Sequence, residues 1–175
     1  MTDPRGRNDE PFLTDGVVVV NPLTVADAEA QWSGEDEEQA RRFGWYPKRS
    51  SIDSVREFLA DTERQWREDG SRRTFGIRLA TTRTLVGGCE ARLQGESTAH
   101  LSWWIFPEHR GRGFGSRGVR LMCGYIIDAW DVRRLVAFIE ADNLASRSVA
   151  SNVGLVELGL DTSCERPMLR YELTI

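Results

Sequence analysis

The chain has 175 residues and a formal net charge of −4, from 23 Lys and Arg against 27 Asp and Glu. That length is most simply one domain, and the acidic balance argues against non-specific attraction to nucleic-acid phosphates. Hydrophobic residues make up 40%, including six Trp and seven Phe, which supplies one sizeable core and excludes wholesale disorder.

Residues 1–12 read as a disordered tail and 13–175 as a single domain. The tail carries charges where a signal peptide needs an apolar stretch, and no run approaches the ~20 residues of a membrane span. A cytoplasmic protein with no membrane partner is expected. Val17–Val20, ahead of Asn21 and Pro22, predicts a strand that stops at the proline. Thr24 with Asp27 predicts a capped helix through Trp32, and Glu35–Glu38 begins another that ends near Gly44. Val55, Phe58, Leu59, Thr62 and Trp66, between Ser50/Ser51 and Gly70, form an amphipathic helical stripe.

Phe75–Leu79, Leu85–Leu93 and Thr98–Phe106 read as an antiparallel meander. Val119, Met122, Cys123, Ile126 and Trp130 then return to helical spacing. Arg134–Ala141, a short helix from Asn143 to a stop at Gly154, Val156–Leu160 and Met168–Ile175 complete the chain. Strands alternating with helices imply a crossover and at least one parallel pair. The expected fold class is α+β, or mixed α/β.

Between the third meander strand and the following helix lie Arg110, Gly111, Arg112, Gly113, Phe114, Gly115 and Ser116. The glycines expose backbone N–H groups, and the helix directs its positive end at whatever sits in the loop. Arg110, Arg112, Arg117 and Arg120 outnumber the one local acid, Glu108, as a polyphosphate site would require; a solvated Arg-rich turn is the plainer reading. No GxxxxGK[ST] is present, which sets aside a Walker-type ATPase. Gly113, Gly115 and Gly118 match the dinucleotide fingerprint by letters, with Glu140 near the place of a ribose-binding acid. Pro107–Arg112 intervene after the strand, however, and too little chain follows for a doubly wound sheet.

Arg110-x-x-Gly113-x-Gly115 resembles the Q/R-x-x-G-x-G/A signature of the GNAT acetyltransferases, and Asn143 and Ser146 followed by Gly154 and Leu155 resemble their second motif. Leu101–Pro107 is similar to the strand before the signature in the RimJ/RimL-like, ribosomal-protein N-acetyltransferase branch. The resemblance spans Val17 to Ile175 and is strongest over 98–155. It implies the GNAT fold, a central mixed, mostly antiparallel, twisted sheet of six to seven strands with helices on both faces. Acetyl-CoA is implied as co-substrate, without a metal, its pyrophosphate on the amides of Arg110–Ser116 and the side chains of Arg110 and Arg112. The pantetheine arm is expected along Trp104, Ile105 and Phe106, where parallel strands splay, with Asn143 and Ser146 opposite. The implied reaction is direct transfer to an amine: a protein N-terminus, or a small molecule such as an aminoglycoside or polyamine. A homodimer stays open, as does the rival reading of a non-catalytic acyl-CoA-binding or interaction module.

Acyl transfer from a thioester needs an unprotonated amine, a site for the developing oxyanion and a proton for the leaving thiolate. Family members often carry a Tyr seven residues after the Asn; Ala150 stands there, which leaves Ser146 as the hydroxyl. His100, on the face of Ser102, and Glu90 are the candidate bases, beside attack with no base. Trp45, Tyr46 and Trp66 are candidates for an acceptor pocket or for the core. The acidic Glu35, Asp36, Glu37 and Glu38 suit a cationic acceptor or a solvated helix start. Cys89 and Cys123 have no sequence neighbour that would activate a thiolate, Cys164 completes the set, and a cysteine nucleophile is not expected.

Overall fold

The computed structural model describes residues 11–44, 50–162 and 166–175. Strand β1 (Leu13–Thr14) precedes β2 (Val18–Pro22), whose branched side chains suit a pleated, half-buried surface and whose run ends at Pro22. A 3₁₀ turn at Val25–Asp27 leads into α1 (Ala28–Gly34) and then α2 (Glu37–Phe43). Asp36 caps α2, its carboxylate accepting from the Gln39 amide at 2.8 Å. In α3 (Ile52–Arg67), Ser51 and Ser54 cap each other's amides, and Val55, Leu59 and Thr62 form the buried stripe.

The predicted meander is β3 (Arg72–Leu79), β4 (Leu85–Gln94) and β5 (Thr98–Ile105). Helix α4 (Phe114–Trp130) crosses to β6 (Arg134–Ile139), α5 (Leu144–Asn152) leads to β7 (Val156–Asp161), and β8 (Met168–Thr174) inserts between β6 and β7. The sheet order is β1-β2-β3-β4-β5-β6-β8-β7, antiparallel at every step except β5 to β6. The mixed, mostly antiparallel architecture is the expected one, with eight strands where the sequence predicts six to seven. The additional strand, β1, has two residues, too few for alternation to register.

Helices cover both faces. On one, Val119, Met122, Cys123 and Ile126 of α4 pack against Ile77, Cys89, Leu101 and Leu135. On the other, α1 and α3 close a smaller core around Leu23, Leu59, Leu85 and Phe106. At the outer edge β7 carries a bulge between Glu157 and Gly159, and Val156, Leu158 and Leu160 are exposed. Among the described residues no helix is long and apolar enough to cross a membrane.

Two features fix the place of the site. The parallel ladder pairs only Thr98–His100 with Arg134–Val136, although β5 runs on to Ile105 and β6 to Ile139. Helix α4 lies so close to the sheet that a Cβ at Gly118 would stand 2.4 Å from Ile77 Cδ1. Overpacking a dense core is expected to make Gly118→Val less stable by roughly 1–3 kcal/mol. The check is a lower denaturant midpoint at an unchanged slope.

Candidate active site

Where β5 and β6 part, a groove of about 700 Å³ opens. Trp104 and Ile105 line one wall and Phe138 and Ile139 the other, with Arg110–Ser116 at one end and Asn143 and Ser146 of the α5 start alongside. Backbone groups of β5 that face the gap lack a partner strand there, and such groups seek donors and acceptors. The loop bends through Gly111 (φ +72°) and Gly113 (φ +77°), a left-handed backbone that strains any other residue type. Gly113 is the N-cap of α4, and no side chain caps the helix. Its first-turn N–H groups are therefore left for a ligand, at the positive end of the helix dipole.

The expected arginine cluster divides. Arg110 turns away from the loop: Nε donates to the Ile105 carbonyl at 2.9 Å, and Nη1 and Nη2 donate to the Asp36 carboxylate at 2.7 and 2.9 Å. Its side chain is engaged as a tether, while the residue still lines the groove. Arg117 pairs with Asp15 at 2.6 Å, and Arg120 donates to the Asn152 carbonyl at 2.5 Å. Arg112 is exposed and makes no ion pair among the described residues. Phe106 departs from expectation. It is buried with Leu23 and Leu85 and does not line the groove; its amide donates to Val86 O and its carbonyl accepts from the His109 amide.

Helix α2 spans the groove, contributing Glu38, Gln39, Arg42 and Phe43 to its lining. At its start Asp36 holds Arg110. At its other end Arg42 donates to Glu140, at the end of β6, to Asp142 at 2.6 Å and back to Glu38 at 2.7 Å. Arg166 adds a contact to Glu140 at 2.9 Å. The acidic run is thus largely engaged within the protein: Asp36 and Glu38 face arginines, and Glu35, nearly buried, accepts from the Ser50 hydroxyl. Burial raises the Asp36 carboxyl, but the Arg110 and Gln39 hydrogen bonds outweigh it and hold it below the ordinary value. Hydrogen bonding from Arg42 lowers Glu38 and Asp142.

A second cavity, of about 240 Å³, lies beneath α2 and α3. Phe43, Val55, Phe58 and Trp104 give it apolar walls; Glu35, Gln39, Glu90, Arg92 and Ser102 are among its polar groups. The two cavities share Gln39, Phe43, Ser102 and Trp104. The Trp104 indole donates to Gln31 Oε1 at 3.2 Å, which fixes the ring at this junction.

The candidate bases separate. Glu90 lines the second cavity, buried on a central strand and not at a sheet edge; its oxygens accept from Thr74 Oγ1 at 2.7 Å and Arg92 Nε at 2.6 Å. His100 lines neither cavity. Its ring lies 5.4 Å from that of Phe138, and burial, then the Arg170 charge, hold its pKa below the ordinary value. On α5, Asn143 Oδ1 accepts the Ser146 amide at 3.1 Å, and the Ser146 hydroxyl lines the groove without a partner among the described residues.

Ala150 is fully buried in the main core and lines neither cavity, so a phenol at this position would face the core; Ser148 and Val149 line the groove instead. Trp66 packs edge-on to Phe75 at 5.0 Å, in the core, while Trp45 and Tyr46 lie outside the described residues. Burial pushes the Cys89 thiol well up and that of Cys123 up to about 12, which leaves neither a ready nucleophile. Cys164 also lies outside the described residues. Sequence reasoning missed Gln39, Arg42, Phe43 and Ser148. The spacing of Ala145, Ser148, Val149 and Asn152 marks the groove face of α5 and could have shown the last.

Residues 18–156 match a family model described as an acetyltransferase (GNAT) domain. The chain is similar to YoaA, an uncharacterized N-acetyltransferase of Bacillus subtilis, at 25% identity over 152 residues, 86% of this chain and 85% of that protein. Its fold is similar to that of RimL, a ribosomal L7/L12 alpha-N-protein acetyltransferase solved with coenzyme A (TM-score 0.83, 15% identity, 94% of this chain and 98% of that one). It is also similar to that of the microcin C7 self-immunity acetyltransferase MccE, solved with acetyl-CoA and AMP (TM-score 0.77, 16% identity, 99% and 98%). At these identities the structural likeness is one of fold.

The α2 tether has a pH signature. Asp36, Glu38 and Asp142 all have lowered carboxyl values, so their contribution to stability is present above their ordinary values of 3.8 to 4.5 and is lost as pH falls through the lowered ones. Stability followed by chemical denaturation should therefore hold steady from neutrality and fall below about 4.5. The fall should be shallower in the double variant Arg42→Ala, Arg110→Ala, where the carboxylates have lost their partners.

Proposed function

The chain belongs to the GNAT acetyltransferase family and uses acetyl-CoA, and we propose that it passes the acetyl group directly to a primary amine, favouring a peptide or protein N-terminus. One observation carries this reading: the groove between β5 and β6 and the apolar-walled cavity under α2 meet at Gln39, Phe43, Ser102 and Trp104. Two substrates entering from different sides would meet there. A cavity of about 240 Å³ with two Phe and a Trp in its walls suits a small, partly apolar head next to the amine. A polycationic aminoglycoside or polyamine would need free carboxylates, and Glu38, the carboxylate that α2 presents to the groove, is paired with Arg41 and Arg42. The fold shared with RimL supports the ribosomal-protein branch.

The residues of the groove fit acetyl-CoA. Uncapped amides from Gly113 to Ser116 and the unpaired Arg112 would hold the pyrophosphate. The open edge of β5 beside Trp104 and Ile105, apart from the Ile105 carbonyl that Arg110 holds, would pair with the amide-bearing arm, and Asn143 and Ser146 would meet it from α5. A Cβ at Gly115 would lie 3.3 Å from Val149 and 3.4 Å from Ile105, so the glycine lets the first turn of α4 approach both α5 and the end of β5. Acetyl-CoA supplies a thioester whose C–S bond breaks as the C–N bond forms. Glu90, oriented by Thr74 and Arg92, takes the amine's surplus proton, and the Ser146 hydroxyl serves the departing thiolate.

Thiol release should be fastest with peptides bearing a free N-terminus, slower with polyamines and aminoglycosides; no release with any of them overturns the assignment. Glu90→Gln should depress turnover by roughly 10²–10⁴-fold, the range for general-base catalysis, while His100→Ala stays near wild type. Calorimetry should show Arg112→Glu weakening coenzyme A binding by about 1.5–3 kcal/mol, the size of a charge-assisted hydrogen bond.

A further inference from the structure

Gln39 is 5% exposed and lies in the wall common to both cavities. Its side-chain oxygen is buried and accepts no hydrogen bond among the described residues, an unfavourable state that native structures usually avoid. Neighbouring acceptors are engaged: Glu90 by Thr74 and Arg92, Glu35 by Ser50, and Gln31 by Trp104. Helix α2 does not need this carboxamide, because the Gln39 backbone amide is held by Asp36 and the helix is tethered at both ends. The backbone that carries the group is therefore held, and the carboxamide oxygen has no hydrogen-bond partner among the described residues where the two substrates would meet.

We propose that Gln39 positions the acceptor: its Oε1 accepts one N–H of the neutral amine, which turns the nitrogen lone pair toward the thioester carbon. This rests on the function proposed above and assigns it a substrate-contacting residue. The C–N bond forms and the C–S bond breaks; the amine's surplus proton passes to Glu90, and the thiolate leaves stabilised by a hydrogen bond donated by the Ser146 hydroxyl and takes its proton from solvent. A neutral oxygen is the right chemistry for the task. An α-amino group titrates at about 7.7–8.0, and a carboxylate in this place would favour the ammonium form, which has no lone pair for attack. The charged and titratable groups facing the junction are Glu35, Glu90 and Arg92 from the cavity, and Glu38, Arg42, His109, Arg110, Arg112 and Glu140 from the groove. They are common to the wild type and its Gln39 variants, so a difference between pH profiles belongs to position 39.

The test uses the full chain with trialanine amide as the probe. With coenzyme A bound, titrating the peptide at about pH 9, where its amine is neutral, should move the side-chain amide resonances of Gln39. At about pH 6 the charged amine still has N–H groups for Oε1, so the signal should move there too while thiol release stays low, because the ammonium has no lone pair. In thiol-release assays Gln39→Leu should raise the peptide KM and lower kcat, together by about tenfold or more, the loss of one hydrogen bond to a reacting group, with a smaller change in the KM for acetyl-CoA. Gln39→Glu should bind the peptide but shift the rise of rate with pH upward by roughly one unit or more, as a nearby carboxylate does to an ammonium. A carboxamide signal that stays put throughout the titration, or one pH profile for all three proteins, overturns the proposal. Movement of the signal with no thiol release from any amine would instead count against the acetyltransfer reading alone.

Discussion

Two parallel strands share hydrogen bonds only while they run side by side, and β5 and β6 do so for three residue pairs before they part. The opening is tolerated because each strand keeps a full ladder on its other edge. β5 pairs with β4 from Thr98 to Ile105, and β6 pairs with β8 from Arg134 to Ile139. Backbone satisfaction is thus complete on the outer sides and interrupted on the inner ones, and the interruption is the groove. The antiparallel pairs elsewhere have no comparable freedom, since opening one would strip a continuous ladder.

Helix α2 bridges the two walls of that opening. Asp36 does two jobs, capping the helix through the Gln39 amide and gripping Arg110 with both oxygens. Arg42 reaches Glu140 and Asp142 at the far wall. Exposed ion pairs contribute little singly. Here several share partners, and the side chains of Arg42 and Glu140 are only 15% and 13% exposed, so the network is screened less than a surface pair. The same contacts that fix the groove's width aim Gln39 and Phe43 into the space between donor and acceptor.

Period and punctuation made most of the fold legible in the sequence. The stripes of α3 and α4, the meander, the crossover and the glycine loop before a helix are local patterns, and local patterns survive folding. Long-range pairing was not legible. Arg110 and Asp36 are 74 positions apart, so the arginine excess around the loop hid the acids that neutralise part of it. His100 and Ser102 do share a strand face, but only Ser102 reaches the cavities, because His100 sits toward β6 against Phe138. Phe106 follows the last residue of β5, where alternation no longer reports direction, and it turns into the smaller core.

The bulge in β7 has a consequence for how the sheet ends. An outermost strand offers unpaired amides and carbonyls to any passing chain, and Val156, Leu158 and Leu160 would make that offer attractive. The extra residue between Glu157 and Gly159 breaks the regular spacing of those groups, so a straight incoming strand cannot match them over the length of β7. The opposite border is two residues of β1. One margin is too irregular and the other too short to template a further strand, which guards a sheet with an aliphatic rim against edge-to-edge aggregation.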